Sequence, residues 1–547
     1  MKLARRSTLA AATLGAVAFA AALAGARGEW LGPDGSGETA GMTSFVFGDF
    51  GGLSAATLET NALPYKVMAT ALIMDAERRE GRPLARRDLP RILQRFGFLD
   101  PDRLANWRGA PPPRFDRPLG MEIGYLGGPF GLKIQVANLG CAACHAGPLY
   151  DASGSPTRTV WLGMPNPSID LEAYTRAVYV ASRRASGDLA AFRARIERLF
   201  PEMGWGERLM LRFVVLPRVA RRVAALQEAT GRPLPFSNGG AGRTNGVGAL
   251  KFQLGLLPRW RYHGAIGTTS IPAIFSRGLR TSLLYDGCYA VPGEPRFARR
   301  TAAEDTPHHR DQLAAIVAFF TVPIMGVSPE RAEQSIPEVE RVMAFLARTE
   351  SPPFPGIIDA RLAGEGRRIF DARCASCHGT YAAGPPPCRL IEYPNRLTPQ
   401  QDMGTDPARW QVIDRPLLAR LDQTAFESHT KTQRTGGYVG TILSGLWATA
   451  PYLHNGSVPT IWHLMHPAER PARFEVGGHR LDYIRLGIAG VLDRSGVYRY
   501  PPGDSAASVP ELYDTRAFGL SNRGHEAEFV DLSEAEKHAL IEFLKCL

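Results

Sequence analysis

The sequence predicts a mostly α-helical protein with long loops, arranged as two domains, the first of which carries a helical insertion. Three observations lead to this prediction. A Cys-x-x-Cys-His motif occurs twice, at 141–145 and 374–378, and a proline-rich segment at 351–355 separates the two copies. Apolar residues recur at helical spacing in much of the chain. Glycine- and proline-rich stretches between them predict loops.

Both copies of the motif are signatures for covalent attachment of c-type haem. The two thiols form thioethers with the porphyrin, and the adjacent histidine supplies an axial nitrogen to the iron. Half of a zinc site or a redox-active dithiol would share the spacing. However, the motifs use four of the seven cysteines, and no further Cys-x-x-Cys pair completes a zinc site. We therefore predict two covalently bound haem c groups, held by Cys141, Cys144, His145, Cys374, Cys377 and His378.

The chain begins with the three parts of a secretory signal peptide. A basic start precedes an apolar run at residues 8–23, and an Ala-Gly-Ala cleavage site follows. The run is shorter than the roughly 20 residues of a membrane-spanning helix, so an uncleaved anchor is the weaker interpretation. We expect cleavage near Ala26 and a periplasmic or secreted mature protein.

The predicted organisation follows from these boundaries. Residues 1–26 are the signal peptide, 27–350 an N-terminal haem domain, 351–355 a linker and 356–547 a C-terminal cytochrome c domain. The insertion in the first domain spans about 170–231, where apolar residues recur at a 3.6-residue period. Its other faces carry many arginines, which predict a solvated basic surface or, alternatively, a docking patch for a partner or membrane. These arginines are Arg183, Arg184, Arg193, Arg195, Arg198, Arg208, Arg212, Arg218, Arg221 and Arg222.

The net charge of +11 is modest, and haem propionates would lower it further. We expect no nucleic-acid partner for an exported haem protein. An acidic redox partner protein or a membrane surface would suit this charge.

The region 356–547 is similar to an enlarged small cytochrome c. A predicted helix at 361–371 runs directly into the second motif. Ser533 and Glu536 form a capping box at the start of a last helix with one apolar face. In class I cytochromes c, the first and last helices cross beside the haem, and the same arrangement is expected here.

Further landmarks span most of the mature chain. The chain resembles the di-haem cytochrome c peroxidase superfamily, and more closely the branch that contains the rubber oxygenases. The run from Trp447 to Thr460 is the most specific landmark, whereas the basic insertion has none. The others are 140–145, Tyr285-Asp286-Gly287, 370–379, 403–407, Arg470-Pro471 with Phe474 and Gly477, and 521–526.

The resemblance implies a second axial ligand for the C-terminal iron. In the rubber-oxygenase branch a late histidine completes a bis-histidine iron, and His525 is its match here. In the peroxidases a methionine does this, but Leu453 stands at that place and has no lone pair to offer. Met403 is the fallback ligand, and a surface histidine is the alternative interpretation of His525.

Two residues are candidates at the N-terminal haem. His263, ahead of Thr268 to Pro272, is a candidate distal residue; otherwise the first iron is open. Tyr285 replaces the tryptophan of the peroxidases' Trp-Asp-Gly relay, and a tyrosine must lose a proton as well as an electron. The alternative is that Tyr285 is only a packed aromatic. The peroxidases' Glu-Asn-Pro-x-Glu run is missing after Gly287, which weakens a peroxidase assignment.

The three remaining cysteines are Cys288, Cys388 and Cys546. Their odd number leaves at least one free or paired with another molecule, and a Cys288–Cys388 bridge is one arrangement.

We therefore predict a periplasmic di-haem c-type oxidoreductase that activates dioxygen or peroxide at the N-terminal haem. The C-terminal haem would relay or store electrons. Its partners would be that small oxidant, an organic substrate and a redox protein. The first alternative is an electron carrier without substrate turnover, and the second is a gas or redox sensor.

Overall fold

The computed structural model describes residues 37–47, 63–108, 117–127, 133–264, 266–324, 329–504 and 506–547. The predicted signal peptide lies outside these ranges. Within them, no helix combines the length and the apolar character that crossing a bilayer requires.

The prediction of a mostly α-helical fold is wrong. The protein is 41% helical and 15% strand, and therefore mixed α/β. The described residues form eight small sheets of two to four strands. Many strands are only two residues long, and such strands are too short to show an alternating apolar pattern. The segments read from sequence as loops therefore pair with one another in short ladders.

The described helices of the first part precede the proline-rich segment. They are α1 (Gly37–Phe47), α2 (Tyr65–Glu80), α3 (Leu89–Gln94), α4 (Cys141–Cys144), α5 (Leu171–Ala185), α6 (Leu189–Leu199), α7 (Trp205–Met210), α8 (Leu216–Ala229), α9 (Gly246–Gln253), α10 (Pro307–Ile324), α11 (Pro329–Ala332) and α12 (Ile336–Leu346). A π-helical turn, Leu211–Val215, joins α7 to α8.

The described helices of the second part are short except for the first and the last. They are α13 (Ala360–Arg373), α14 (Ala375–His378), α15 (Gln400–Met403), α16 (Ala408–Gln411), α17 (Arg415–Leu421), α18 (Ile461–Met465) and α19 (Glu534–Leu544). The described 3₁₀ turns are Arg86–Asp88, Arg277–Leu279, Ala302–Glu304, Glu333–Ser335, Ala425–Ser428, Leu446–Ala448 and Pro467–Glu469.

The strands are distributed over the whole described chain. They are β1 (Leu63–Pro64), β2 (Arg103–Leu104), β3 (Met121–Gly127), β4 (Lys133–Leu139), β5 (Ala146–Tyr150), β6 (Pro156–Leu162), β7 (Arg243–Thr244), β8 (Thr269–Ser270), β9 (Ser282–Leu283), β10 (Tyr289–Ala290), β11 (Arg300–Thr301), β12 (Thr380–Tyr381), β13 (Leu390–Tyr393), β14 (Leu397–Pro399), β15 (Lys431–Thr432), β16 (Gly437–Val439), β17 (Arg473–Val476), β18 (Leu481–Asp482), β19 (Gly487–Ile488), β20 (Val491–Leu492), β21 (Val497–Arg499) and β22 (Glu511–Asp514). The sheets are ordered β1-β4-β3, β2-β6-β5, β7-β8, β15-β10-β9, β11-β13-β12, β14-β16, β20-β21-β17-β22 and β18-β19.

Helices α13 and α19 pack against each other as predicted for the C-terminal part. They approach so closely at Gly366 that an added Cβ would lie 1.9 Å from the Ala539 carbonyl oxygen. The rings of Phe370 and Phe543 pack beside this contact with centroids 5.1 Å apart. The predicted capping box is confirmed, because the Ser533 amide donates to the Glu536 carboxylate at 2.8 Å. The crossing positions α14, which carries the second motif.

The insertion folds as α5 to α8. Asp170 and Asp188 cap α5 and α6 by accepting hydrogen bonds from amides in the first turn. The predicted apolar stripe is confirmed, because Phe192, Ile196 and Phe200 are fully buried. These side chains pack against α2 in one hydrophobic cluster. Two other hydrophobic clusters contain residues from both before and after the proline-rich segment. The division of the chain into two domains at this segment stays a prediction.

Cys388 lies against Cys546 and not against Cys288. The Cys388 amide donates to the Cys546 carbonyl at 2.6 Å, and the two buried thiols are hydrogen bonded. The hydrogen bond from the Cys546 thiol lowers the pKa of Cys388, which favours the attacking thiolate at this cysteine. Cys288 is packed in a different cluster, beside the guanidinium of Arg409.

We expect Cys388 and Cys546 to form a disulfide when the protein is in an oxidising compartment. The oxidation releases two protons and two electrons, which a thiol–disulfide oxidant accepts by exchange. Peptide mapping without reduction should recover the two cysteines in one linked pair, with Cys288 alkylated separately as a free thiol. Alkylation of both Cys388 and Cys546 in unreduced protein would contradict this expectation. Cys546→Ser should then lower the free energy of unfolding by about 2–5 kcal/mol.

Candidate functional site

The first motif is held beneath a large cavity. Helix α4 begins after Gly140 and ends at His145. The ring nitrogen Nδ1 of His145 lies 3.1 Å from the carbonyl oxygen of Pro272. A carbonyl only accepts, so Nδ1 carries the proton and Nε2 keeps its lone pair for a metal. Burial lowers the pKa of His145 to about 4, which keeps the ring neutral.

The second motif repeats this arrangement. The Nδ1 atom of His378 donates to the carbonyl oxygen of Thr441 at 2.8 Å, which again leaves Nε2 free. Burial and the neighbouring His525 lower the pKa of His378 to about 4. Two histidines with the same orienting hydrogen bond, each next to two cysteines, form a donor set that fits c-type haem at both motifs.

His525 lies opposite His378. The two ring centroids are 6.2 Å apart and their planes are inclined by 28°. Two imidazoles on one iron would have centroids about 6.2 Å apart, given metal–nitrogen bonds of about 2.0 Å and nitrogens about 1.1 Å from each ring centre. The separation therefore fits a bis-histidine iron. The ligand role of His525 itself stays a prediction.

The backbone of His525 has a φ of 62°, which is unfavourable for a residue other than glycine. Arg470 fixes this loop from the side, donating to the carbonyl oxygens of Asn522 at 2.6 Å and Gly524 at 3.0 Å. It also pairs with Glu526 at 3.0 Å. Met403 contributes its carbonyl, which accepts from the His525 amide at 3.2 Å. The chain thus holds a strained loop in place to present one imidazole to His378.

The cavity above the first motif has a volume of about 810 Å³. This volume is within the range of sites for large organic ligands. His145 is the one histidine among the described residues that line it. Most of the remaining lining is apolar and comes from the first part of the chain, while the second part contributes Arg409, Thr441 and Ile442. The cavity therefore has the size and character that a porphyrin requires beside His145.

Two arginines that line the cavity have only neutral partners. Arg280 is fully buried and donates to the carbonyl oxygens of Ser282 and Leu284. Arg277 donates to the carbonyl of Ala273, and burial together with the nearby Arg280 lowers its pKa to about 10. Buried cations without a counter-charge are costly. Haem propionates would supply that charge, and sequence reasoning missed both arginines because no motif marks them.

Tyr285 is hydrogen bonded to two short segments, one of which leads to the carbonyl that holds His145 and the other to the carbonyl that holds His378. Its hydroxyl lies 2.9 Å from that of Ser270, two residues before the carbonyl that holds His145. Its own carbonyl accepts from the Val439 amide at 2.8 Å, two residues before the carbonyl that holds His378. The side chain itself lines the cavity. Tyr285 is therefore placed between the motifs, and its role as an electron relay stays a prediction.

His263 and His454 occupy different surroundings. His263 is not among the lining residues, and its amide donates to the Pro235 carbonyl at 2.7 Å. The structure therefore does not bring His263 to the cavity at the first motif, and its distal role stays a prediction. His454 is buried with Nε2 3.3 Å from the hydroxyl of Tyr438, and its ring centroid lies 6.3 Å from that of Tyr285. Burial lowers the pKa of His454 to about 3.

One stretch of the chain matches a known protein family. Residues 437–475 match the family described as RoxA-like, cytochrome c-like. The match contains Thr441, which orients His378, and the whole Trp447–Thr460 run. The match supports a cytochrome c-like domain of the rubber-oxygenase-like branch, which implies covalently bound haem c and suggests a haem-containing redox function.

Two curated relatives are both from Sinorhizobium fredii (strain NBRC 101917 / NGR234). The uncharacterized protein y4iM is 27% identical over 293 residues, which cover 48% of this chain and 58% of the relative. The uncharacterized protein y4iJ is 30% identical over 257 residues, which cover 35% of this chain and 40% of the relative. The chain thus spans about half the length of the curated relatives that it matches.

If Tyr285 relays electrons between two haems, as the resemblance implies, its replacement by Phe should slow their electron exchange by about tenfold or more, because the change removes the ionisable hydroxyl and keeps the ring. Haem content and spin states should stay unchanged. Stopped-flow reduction, followed at the separate absorbance bands of the two haems, measures the effect. Tyr452→Phe is the matched control, since this buried hydroxyl contacts only the Leu446 carbonyl in the described structure. Equal rates in both variants would exclude a relay through the Tyr285 hydroxyl.

Proposed function

We propose that the chain is a periplasmic or secreted di-haem c-type oxidoreductase. It activates dioxygen or peroxide at the haem of the first motif, while the haem of the second motif relays or stores electrons. The contrast between the two histidines supports this assignment. His378 faces a second imidazole at 6.2 Å, whereas His145 faces a cavity of about 810 Å³ in which it is the one histidine of the described lining. One iron would be closed by two ligands and the other open.

A haem iron with an open position supplies the chemistry of dioxygen or peroxide, and one with two strong ligands supplies electron transfer. The residues of the chain set this difference. Pro272 and Thr441 fix the two proximal imidazoles through their carbonyls. Arg277 and Arg280 hold the propionate charge, and Tyr285 lies on the path between the motifs.

The part of the apolar lining that a bound porphyrin leaves free would favour an organic substrate of low polarity. Water is expelled from such a lining, so polar substrates would lose hydrogen bonds on entry. A small oxidant and a redox partner protein complete the set of partners. Nucleic acid has no place in this proposal.

Consumption of dioxygen and of peroxide by the reduced holoprotein tests the function. Imidazole should abolish consumption by occupying the open iron next to His145. The double variant Cys141→Ala/Cys144→Ala should lose this activity and keep one haem, which a haem stain on a denaturing gel detects. Full consumption in the presence of imidazole would contradict an open catalytic iron. Absence of consumption in wild type, with both haems present, would favour an electron carrier.

A further inference from the structure

The last helical segment of the insertion, in which α7, the π-helical turn and α8 run on without a break, exposes large apolar side chains. Trp205, Leu209 and Phe213 are spaced four residues apart, which places them along one side of α7 and the π-helical turn. Their exposed fractions are 75%, 43% and 63%. A tryptophan and a phenylalanine on a solvated helix leave apolar area in water that a purely structural helix would bury.

The charges that follow this stripe are mostly positive. Glu207, within α7, pairs with Lys66, and from residue 208 to 227 the sequence holds five arginines and no aspartate or glutamate. Some earlier arginines of the insertion are paired, as Arg184 is with Asp75 and Arg195 with Glu77. The ion pairs among the described residues include none for four arginines of this helix. These are Arg212, Arg218, Arg221 and Arg222.

The same helix forms the rim of the cavity. Arg218 and Arg222 line the cavity and are also exposed to solvent, so the cavity opens along α8. Arg259 lies near Arg222 and packs over the ring of Phe252, another lining residue. The next residue, Trp260, is 77% exposed. Two exposed aromatic groups with unpaired arginines therefore flank one opening.

We propose that this face, termed the rim face, docks on the surface of a phospholipid bilayer with anionic head groups. It comprises Trp205, Leu209, Arg212, Phe213, Arg218, Arg221, Arg222, Arg259, Trp260 and Arg261. The arginines bind lipid phosphates, and the aromatic rings enter the interfacial layer where such rings are favoured. A bilayer offers anionic phosphates directly above an apolar layer, so this one occupant accounts for the arginines and for the exposed aromatic rings beside them.

Docking in this way would turn the cavity opening toward the lipid. An apolar substrate dissolved in the bilayer would then reach the first motif without crossing water, a consequence that rests on the proposed function. The docking itself does not depend on any redox activity.

Sedimentation of the holoprotein with vesicles tests the docking. Vesicles of phosphatidylcholine with about one third phosphatidylglycerol should bind the protein at low salt, and binding should weaken as salt screens the arginines. Pure phosphatidylcholine should bind it at least about tenfold more weakly. Absence of binding to anionic vesicles at low salt would overturn the proposal, whatever the redox assays show.

Two double variants test whether vesicle binding depends on the rim face itself or only on the positive charge of the whole protein. Arg212→Gln/Phe213→Ser should reduce binding to anionic vesicles by about tenfold or more. The matched control is Arg516→Gln/Phe518→Ser, which removes an exposed arginine and a phenylalanine that is 69% exposed elsewhere on the surface. The control should bind as wild type does. An equal loss in both variants, or no loss in the rim variant, would overturn the assignment, while unchanged haem spectra verify that both variants are folded.

Discussion

Replacement of Asp286 by Asn is expected to lower the free energy of unfolding by about 3–5 kcal/mol, because it leaves the charge of Arg409 buried without a counter-charge. The two side chains are 0% and 2% exposed, and their charged atoms lie 3.1 Å apart. Chemical denaturation of the holoprotein, followed by circular dichroism, measures the loss.

An exposed ion pair provides the control for this variant. Arg373 contacts Asp531 at 2.6 Å, but the aspartate is 60% exposed. Asp531→Asn should therefore cost less than about 1 kcal/mol. In the double variant Asp286→Asn/Arg409→Gln the unpaired charge is gone, so part of the stability should return. A loss below about 1 kcal/mol in Asp286→Asn would show that water reaches the pair.

Replacement of His525 by Ala should convert the C-terminal haem from low-spin to high-spin while its covalent attachment persists. The imidazole would be lost as an axial ligand, and Cys374, Cys377 and His378 would remain. Absorbance and EPR spectra of the oxidised variant measure the change, and added imidazole should restore the low-spin form. The variant also separates ligation from backbone strain. Ala at a φ of 62° keeps the strained backbone and loses only the bond from the imidazole to the iron.

His466→Ala is the matched control for this variant. His466 stacks on Trp462 with ring centroids 3.9 Å apart and pairs with Glu534 at 3.0 Å, so it is held by other contacts. Its removal should leave both haem spectra unchanged. If His525→Ala also leaves the low-spin signal unchanged, another residue ligates this iron, and Met403→Ala would be the next variant to measure.

Residue patterns in the sequence predicted the haem-attachment motifs and the two helices, α13 and α19, that pack beside the second motif. The capping box at Ser533 and the apolar stripe around Phe192 were both readable because helices repeat every 3.6 residues. The structure places the ring of His525 6.2 Å from that of His378 and bonds Tyr285 to a segment beside each motif, but the ligand and relay roles of these two residues stay predictions.

Other features of the fold and of the site have no recognisable pattern in the sequence. Two-residue strands such as β7 and β8 are fixed by distant partners, so the sequence read as loop and the fold class was predicted wrongly. Pro272 and Thr441 act through backbone carbonyls, which every residue carries. Cys388 and Cys546 meet because the C-terminal helix returns across the domain, a contact that counting cysteines does not predict. In each case the deciding interaction is long-range in sequence.

Low-temperature EPR of the oxidised holoprotein, with and without imidazole, tests the central claim most directly. One low-spin ferric haem and one high-spin ferric haem are expected, in equal amounts. Imidazole should convert the high-spin signal and leave the other unchanged. Two low-spin haems that do not respond to imidazole would contradict an open iron at His145 and leave the protein as an electron carrier.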